Sequence, residues 1–118
     1  MEQANFEREE NRQMEATKLF DAEWNLMCFV WANQPSTASQ AAAYALKAFN
    51  WKKNTTYTVI KRLVEKKILR RDEPGFVITP LVQKDEVQRA EATWVLNNRF
   101  DGDVNALRET LRAAGYQL

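Results

Sequence analysis

The sequence predicts a mainly α-helical fold with one small β-hairpin. Three segments with apolar residues at helical spacing precede two short strand-like segments, and further helical segments follow them. The length of 118 residues is that of one domain with a short helical appendage. We therefore expect a globular domain over residues 19–81 and a helical region over residues 82–118.

The composition argues against an enzyme, a metalloprotein or a membrane protein. The chain has no histidine, so it lacks the commonest general base and the commonest metal ligand. Its one cysteine, Cys28, excludes an internal disulfide and a cluster of thiolate ligands. No apolar run approaches the ~20 residues that span a bilayer, and the polar start is unlike a signal peptide. The sequence predicts a cytoplasmic protein with no cofactor, no metal site and no catalytic site.

The first elements can be placed from their caps and periodicity. Residues 1–18 are polar, have no sustained apolar face, and are predicted to form a flexible leader. A first helix is expected to start at Asp21 as its N-cap and to bury Cys28 in an apolar stripe with Trp24, Met27 and Trp31.

Two further helices follow. Ser36 and Thr37 are expected to form an extended connector and a cap, after which residues 38–49 read as a second, alanine-rich helix. A third helix is predicted over residues 54–67, with an inward stripe of Thr56, Val59, Ile60 and Leu63.

A hairpin and two more helices complete the chain. Residues 68–71 and 76–79 are strand-like, and the Asp-Glu-Pro-Gly segment between them is typical of a turn. Helices are predicted over residues 83–99 and 103–113, with a break at Asp101 and Gly102. The order of three helices and a hairpin is that of a winged helix-turn-helix domain, with the third helix in the recognition position.

Charge is segregated along the chain although the net charge is only +1. Residues 51–71 carry eight basic side chains and one acidic side chain, which amounts to +7, whereas residues 72–118 carry five basic and eight acidic side chains. Such a concentration of positive charge is typical of a surface that binds phosphates of nucleic acid.

The outward face of the third helix has the side chains that read base edges in a major groove. Asparagine, threonine and tyrosine are poor helix formers, so their clustering on a surface helix favours a role in contacts with DNA. Lys66 and Lys67 are expected to complement the negative end of the helix. The cations before the helix and on the first wing strand are better placed to contact phosphates. The predicted DNA-binding residues are Lys52, Lys53, Asn54, Thr55, Tyr57, Thr58, Lys61, Arg62, Arg70 and Arg71.

The two last helices carry apolar faces that a three-helix core with a wing does not need. They either fold back on the core or bury themselves against a second copy, and we favour the second. The predicted dimer interface consists of Ala92, Val95, Leu96, Phe100, Val104, Leu107 and Leu111. Paired in this way, two protomers would bind the half-sites of a palindromic operator.

Two other functions stay open at this point. The same helix and wing could bind a protein partner, in which case binding would lack the steep salt dependence of DNA binding. A regulator that binds a small molecule between aromatic helices would use the tryptophans at positions 24, 31, 51 and 94, although these are more simply explained as core residues.

Several segments resemble the penicillinase-repressor family of winged-helix transcriptional regulators (the BlaI/MecI/CopY type). FDAEWNLMCFVW resembles the opening "aEwevM..vW" signature at Ala22, Glu23, Trp24, Met27 and Trp31. WKKNTTYTVIKRLVEKKIL is similar to the recognition-helix block, in which a basic turn precedes "T-[LV]-[LI]-x-R-L-x-x-K". STASQ, FVITPLVQKDE and FDGD resemble the start of the second helix, the end of the wing and the break between the C-terminal helices.

The resemblance implies a homodimeric repressor that binds inverted repeats related to TACA/TGTA. It also implies differences from characterised branches of the family. Copper-responsive members carry paired Cys-x-Cys motifs, which this chain lacks, so copper sensing is not expected. Antibiotic-responsive members are cleaved at an Asn-Phe bond, and the matching position here is Thr110-Leu111. Relatives usually continue beyond the position of Leu118, so we expect a weaker dimer or a different inducer, and neither an inducer nor a protease is identified.

Overall fold

The computed structural model describes residues 18–118, which form five α-helices and a three-stranded antiparallel sheet. The helices are α1 (Asp21–Ala32), α2 (Ala38–Phe49), α3 (Lys53–Glu65), α4 (Lys84–Arg99) and α5 (Val104–Ala113), and the strands are β1 (Ser36–Thr37), β2 (Leu69–Asp72) and β3 (Val77–Pro80). The predicted fold class is confirmed. No helix within the described part of the chain is long and apolar enough to cross a membrane.

The described residues fall into two compact units, one over residues 18–87 and one over Gln88–Leu118. The division into a domain over residues 19–81 and a region over residues 82–118 stays a prediction. The leader predicted over residues 1–18 lies, apart from its last residue, outside the described residues.

Helix α1 begins at Asp21, and Phe20 rather than Asp21 is the residue at the N-cap. The helix buries Glu23, Leu26, Met27 and Val30, whereas Cys28 is only half-buried. The prediction that Cys28 lies in the core is therefore wrong. The buried face is turned by about one residue from the predicted stripe, and it includes the carboxylate of Glu23.

Helix α2 starts with a reciprocal pair of hydrogen bonds. The backbone N–H of Gln40 donates to Oγ1 of Thr37 at 3.1 Å, and the backbone N–H of Thr37 donates to Oε1 of Gln40 at 2.9 Å. This capping box satisfies two amides that a helix start otherwise leaves open. The predicted cap and the predicted bounds of this helix are confirmed. The helix buries only small side chains: Ala38, Ala41, Ala42 and Ala45.

Helix α3 buries the four predicted inward residues, Thr56, Val59, Ile60 and Leu63. It ends at Glu65, two residues before the predicted end, and Lys66 is the C-cap. Lys67 then adopts a left-handed backbone with φ of 63°. The N–H groups of Lys67 and Ile68 donate to the carbonyls of Val64 and Leu63 at 3.0 and 2.9 Å, which is the pattern of a Schellman motif.

The wing is part of a sheet with the strand order β1-β3-β2. Strands β2 and β3 form the predicted hairpin, each shifted by one residue towards the C-terminus. The two-residue strand β1, predicted only as a connector, pairs antiparallel with β3. Gly75, in the turn, has φ of +91°, a conformation that favours glycine.

The core lies among α1, α2, α3 and the sheet. Its largest buried side chains include Leu26, Met27, Ile60, Leu63 and Ile78. Trp24, Trp31 and Trp51 are half-buried and pack against this core. These contacts agree with the interpretation of Trp24, Trp31 and Trp51 as core residues, whereas Trp94 is half-buried in α4 and lies in the second unit.

Candidate nucleic-acid interface

The outward face of α3 lies in solvent. Because the four buried residues of the helix share one side, the polar side chains between them point away from the core. Of the predicted reading residues only Tyr57 is half-buried; the others, Asn54, Thr55, Thr58, Lys61 and Arg62, are exposed. The structure thus brings these predicted residues together on one helix.

Local contacts already limit what two of these side chains can do. The hydroxyl of Thr58 donates to the backbone carbonyl of Asn54 at 2.9 Å, so its lone pairs and its methyl group are left for an outside partner. The ammonium of Lys53 lies 5.7 Å from the ring centre of Tyr57, a distance at which the cation and the ring attract each other. Asn54 and Thr55 form no such side-chain contact within residues 18–118, so both can act as donors and acceptors.

Four cations of this face are free of carboxylates. Within the described chain, no ion pair involves Lys52, Lys53, Lys61 or Arg62, and all four are exposed. Unpaired surface cations keep their full charge for an incoming anion. Unpaired positive charge therefore lies at the start of α3 and about two turns further along the same helix.

The first turn of α3 has no carboxylate. No acidic residue is present there, and the N-cap residue Lys52 forms no side-chain hydrogen bond to the helix. A helix start has open N–H groups and a partial positive charge, which Lys52 and Lys53 reinforce. This end of the helix is therefore suited to a phosphate.

The wing arginines differ from those of α3. Nε of Arg70 lies 3.0 Å from Oδ2 of Asp72, and Nε of Arg71 lies 3.8 Å from Oε1 of Glu73. The guanidinium of Arg71 also lies 4.5 Å from the ring centre of Phe76. Both arginines are exposed, as the predicted phosphate contacts require, but each shares its charge with a wing carboxylate, which a count of cations along the sequence does not reveal.

Sequence reasoning also missed the role of Glu23. This carboxylate is fully buried, and its Oε1 lies 2.6 Å from Nζ of Lys66. Lys66 was expected only to complement the helix end. A signal existed in the sequence, since Glu23 falls at helical spacing with Leu26, Met27 and Val30, but its partner is 43 residues away.

The predicted interface residues of the helical tail lie in the second unit. No residue of Gln88–Leu118 is buried. Ala92, Val95 and Val104 are exposed, and Leu96, Phe100, Leu107 and Leu111 are half-buried. Val104, Leu107 and Leu111 line a shallow groove with Arg108 and Leu118. Within Gln88–Leu118, the apolar faces of α4 and α5 thus enclose no buried core.

Comparison with known families agrees with this geometry. The family model described as Penicillinase repressor matches residues 19–113, which cover α1 to α5 and the whole sheet. No curated protein matches the chain closely enough to serve as a relative. Members of the matched family are DNA-binding transcriptional repressors without enzymatic activity. The chain therefore belongs to the penicillinase repressor family.

Proposed function

We propose that this repressor binds an inverted-repeat operator as a homodimer and reads its bases with α3. The side chains that contact base edges in the major groove are those of Asn54, Thr55, Tyr57, Thr58, Lys61 and Arg62. Lys52 and Lys53 contact phosphates at the start of the helix, and Arg70 and Arg71 contact phosphates from the wing. The observation that carries the proposal is the exposed polar face of α3, bordered by cations without carboxylate partners.

The chemistry of this face fits a duplex better than a protein surface. Amide and hydroxyl groups match the donors and acceptors of base edges, and lysine and arginine match guanine. The free cations would displace counterions from the phosphates, so affinity should fall steeply as salt rises. A protein partner would have to supply many carboxylates to bind the same surface.

The dimer is proposed from the second unit. Association would bury apolar area that seven side chains of this unit expose in full or in part: Ala92, Val95, Leu96, Phe100, Val104, Leu107 and Leu111. Each of the larger side chains contributes roughly 1.5–3 kcal/mol when fully buried. In this proposal the winged-helix domain over residues 19–81 reads a half-site and residues 82–118 hold the dimer.

Repression follows from occupancy of a site that overlaps a promoter. One protomer makes half of the contacts, so a signal that weakens the dimer releases the DNA. The half-sites should lie about one or two helical turns apart, because the two recognition helices must enter major grooves that face the same side of the duplex.

The test is selection of bound duplexes from a random library with the purified full chain. We expect enrichment of an inverted repeat, two protomers per duplex in sedimentation, and a steep loss of affinity between about 50 and 200 mM salt, as is typical of proteins that contact many phosphates. An unenriched library, or a complex with one protomer per duplex, would contradict the proposal. A flat salt series would favour the protein-interaction alternative.

A further inference from the structure

Resting on the proposed base readout by α3, we propose that Lys66 is a positioning residue, which holds the recognition helix in its reading orientation through Glu23. Lys66 is the C-cap of α3, and Glu23 is in the first turn of α1. The ion pair therefore ties the end of the reading helix to the start of the first helix.

The contacts around the pair are directional on both sides. Oε1 of Glu23 accepts from the backbone N–H of Phe20 at 2.8 Å and from Nζ of Lys66 at 2.6 Å. The same ammonium donates to the carbonyl of Lys18 at 3.4 Å and lies 4.4 Å from the ring centre of Phe20. The carboxylate lies at the positive end of α1 and the ammonium at the negative end of α3, so both helix dipoles favour the arrangement.

Burial makes this pair different from the other ion pairs of the described chain. The side chain of Glu23 has no exposed area, and that of Lys66 retains 28%. Oε2 of Glu23 has no hydrogen-bond partner within residues 18–118. A buried carboxylate with one oxygen unsatisfied is a poor source of net stability, because desolvation opposes the attraction. The pair is therefore better explained by its effect on the orientation of α3 than by its effect on the stability of the fold.

An orienting contact can add to the apolar packing of α3. The inward stripe of α3 is one threonine and three aliphatic residues, and α2 presents only alanines as buried side chains. Apolar contact is not directional, so it resists sliding and rotation of a helix less than a charged hydrogen bond does. A small rotation about the axis would move Asn54, Thr55 and Thr58 away from the bases that they read.

The experiment compares the wild type with the double variant Glu23→Gln/Lys66→Met, in the full chain. Both charges are removed together, because Lys66→Met alone would leave a buried carboxylate without a partner and could unfold the domain. The glutamine that replaces Glu23 retains an oxygen that can accept from the N–H of Phe20. The matched control is Lys67→Met, which removes a neighbouring exposed charge and keeps a non-glycine residue at the left-handed position.

Two readouts are needed. The first is hydrogen exchange at the amides of Lys67 and Ile68, which close the end of α3 and do not depend on DNA. We expect protection factors, which correct for the intrinsic exchange rate of each amide, to fall by about fivefold or more in the double variant and to stay unchanged in Lys67→Met. The second is the ratio of affinities for the best duplex selected by the wild type and for a scrambled duplex. This ratio should fall about fivefold or more in the double variant, as expected when one base contact is loosened.

The outcomes are separable. Unchanged exchange, or faster exchange with an unchanged affinity ratio, would overturn the positioning role. An equal loss on both duplexes with a shallower salt dependence would also overturn it, since Lys66 would then be a phosphate contact. If the wild type selects no duplex, the proposed function fails and the positioning role with it, while exchange still reports whether the pair holds the end of α3.

Discussion

Arg70 and Asp72 form an ion pair on β2, with 3.0 Å between Nε and Oδ2. Both side chains are about half exposed, at 58% and 47% of their area. Exposed pairs of this kind contribute little to stability, because water and salt screen them. The pair instead lowers the charge that the wing can offer to a phosphate, which gives the first prediction.

Asp72→Asn should strengthen binding to DNA of any sequence, because it leaves Arg70 unpaired. We expect affinity for a random duplex to rise roughly two- to tenfold, given the strength of exposed pairs and two wings in the proposed dimer. The slope of log affinity against log salt should steepen by about 2 if each freed arginine contacts one further phosphate. Fluorescence anisotropy over a salt series measures both quantities.

The matched control for this change is Glu109→Gln. It breaks another exposed pair, in which Oε1 of Glu109 lies 2.6 Å from Nη1 of Arg112, and it alters the net charge equally. An identical gain in the control would mean that overall charge, and not contact of Arg70 with DNA, explains the result.

Thr55→Ala should weaken binding to the selected operator by roughly 1–3 kcal/mol and leave binding to scrambled DNA nearly unchanged. The reason is that Thr55 is exposed on the proposed reading face and carries no charge. Lys61→Ala should also erode discrimination. Lys67→Ala, which removes an exposed cation outside this face, serves as the control and should change both affinities by a similar small factor. Equal losses on the two duplexes from Thr55→Ala would count against base readout.

Val104→Asp should dissociate the proposed dimer. Burial of two valines across a twofold interface contributes roughly 3 kcal/mol, so we expect the dimer dissociation constant to rise roughly hundredfold or more. Sedimentation equilibrium measures this constant directly. The change is gentle to the helix itself, because an acidic residue in the first turn of α5 matches the helix dipole.

Leu46→Asp is the control for the dimer prediction. Leu46 is 57% exposed and Val104 is 52% exposed, so the two changes remove similar apolar area from the surface of one chain. Only Val104 belongs to the proposed interface, and Leu46→Asp should therefore remain dimeric. Dissociation by both variants alike would mean that the loss is not specific to the interface proposed on α4 and α5, and it would contradict the prediction.

Thr56→Val should stabilise the protein. Thr56 is fully buried in α3, and its hydroxyl has no hydrogen-bond partner within the described chain. Removing an unsatisfied buried hydroxyl while keeping a β-branched shape should raise the free energy of unfolding by about 1 kcal/mol. Urea denaturation followed by circular dichroism measures the change. In the control Thr58→Val the hydroxyl is exposed and bonded to Asn54, so no gain is expected; a loss of stability in Thr56→Val would refute the prediction.

The features that the sequence predicts best here are those set by residues close together in the chain. The four inward residues of α3 and the cap formed by Thr37 follow from local spacing and local hydrogen bonds, and both are confirmed. The start of α1 and the ends of the wing strands shift by a single residue, since neighbouring caps and register positions differ little in energy.

What sequence could not supply are contacts between distant charges. Glu23 was not expected in the core, because carboxylates are almost never fully buried without a partner, and Lys66 is far along the chain. The wing pairs were missed for the opposite reason. Arg70 and Asp72 are only two residues apart, and alternation of side chains along a strand places both on one face, but a count of cations alone hides this cancellation.

The first turn of α3 lacks both a side-chain cap and an acidic residue, so the helix that we propose meets the operator has open N–H groups at its start in the free protein. A phosphate group bound at this end would act as the missing cap. Operator DNA would then contribute to the stability of the folded protein. The melting temperature should rise with operator concentration, and the amides of Lys53 and Asn54 should gain protection first. Binding of the operator and ordering of the start of α3 would then occur together. DNA of another sequence would leave the protein less ordered as well as more weakly bound.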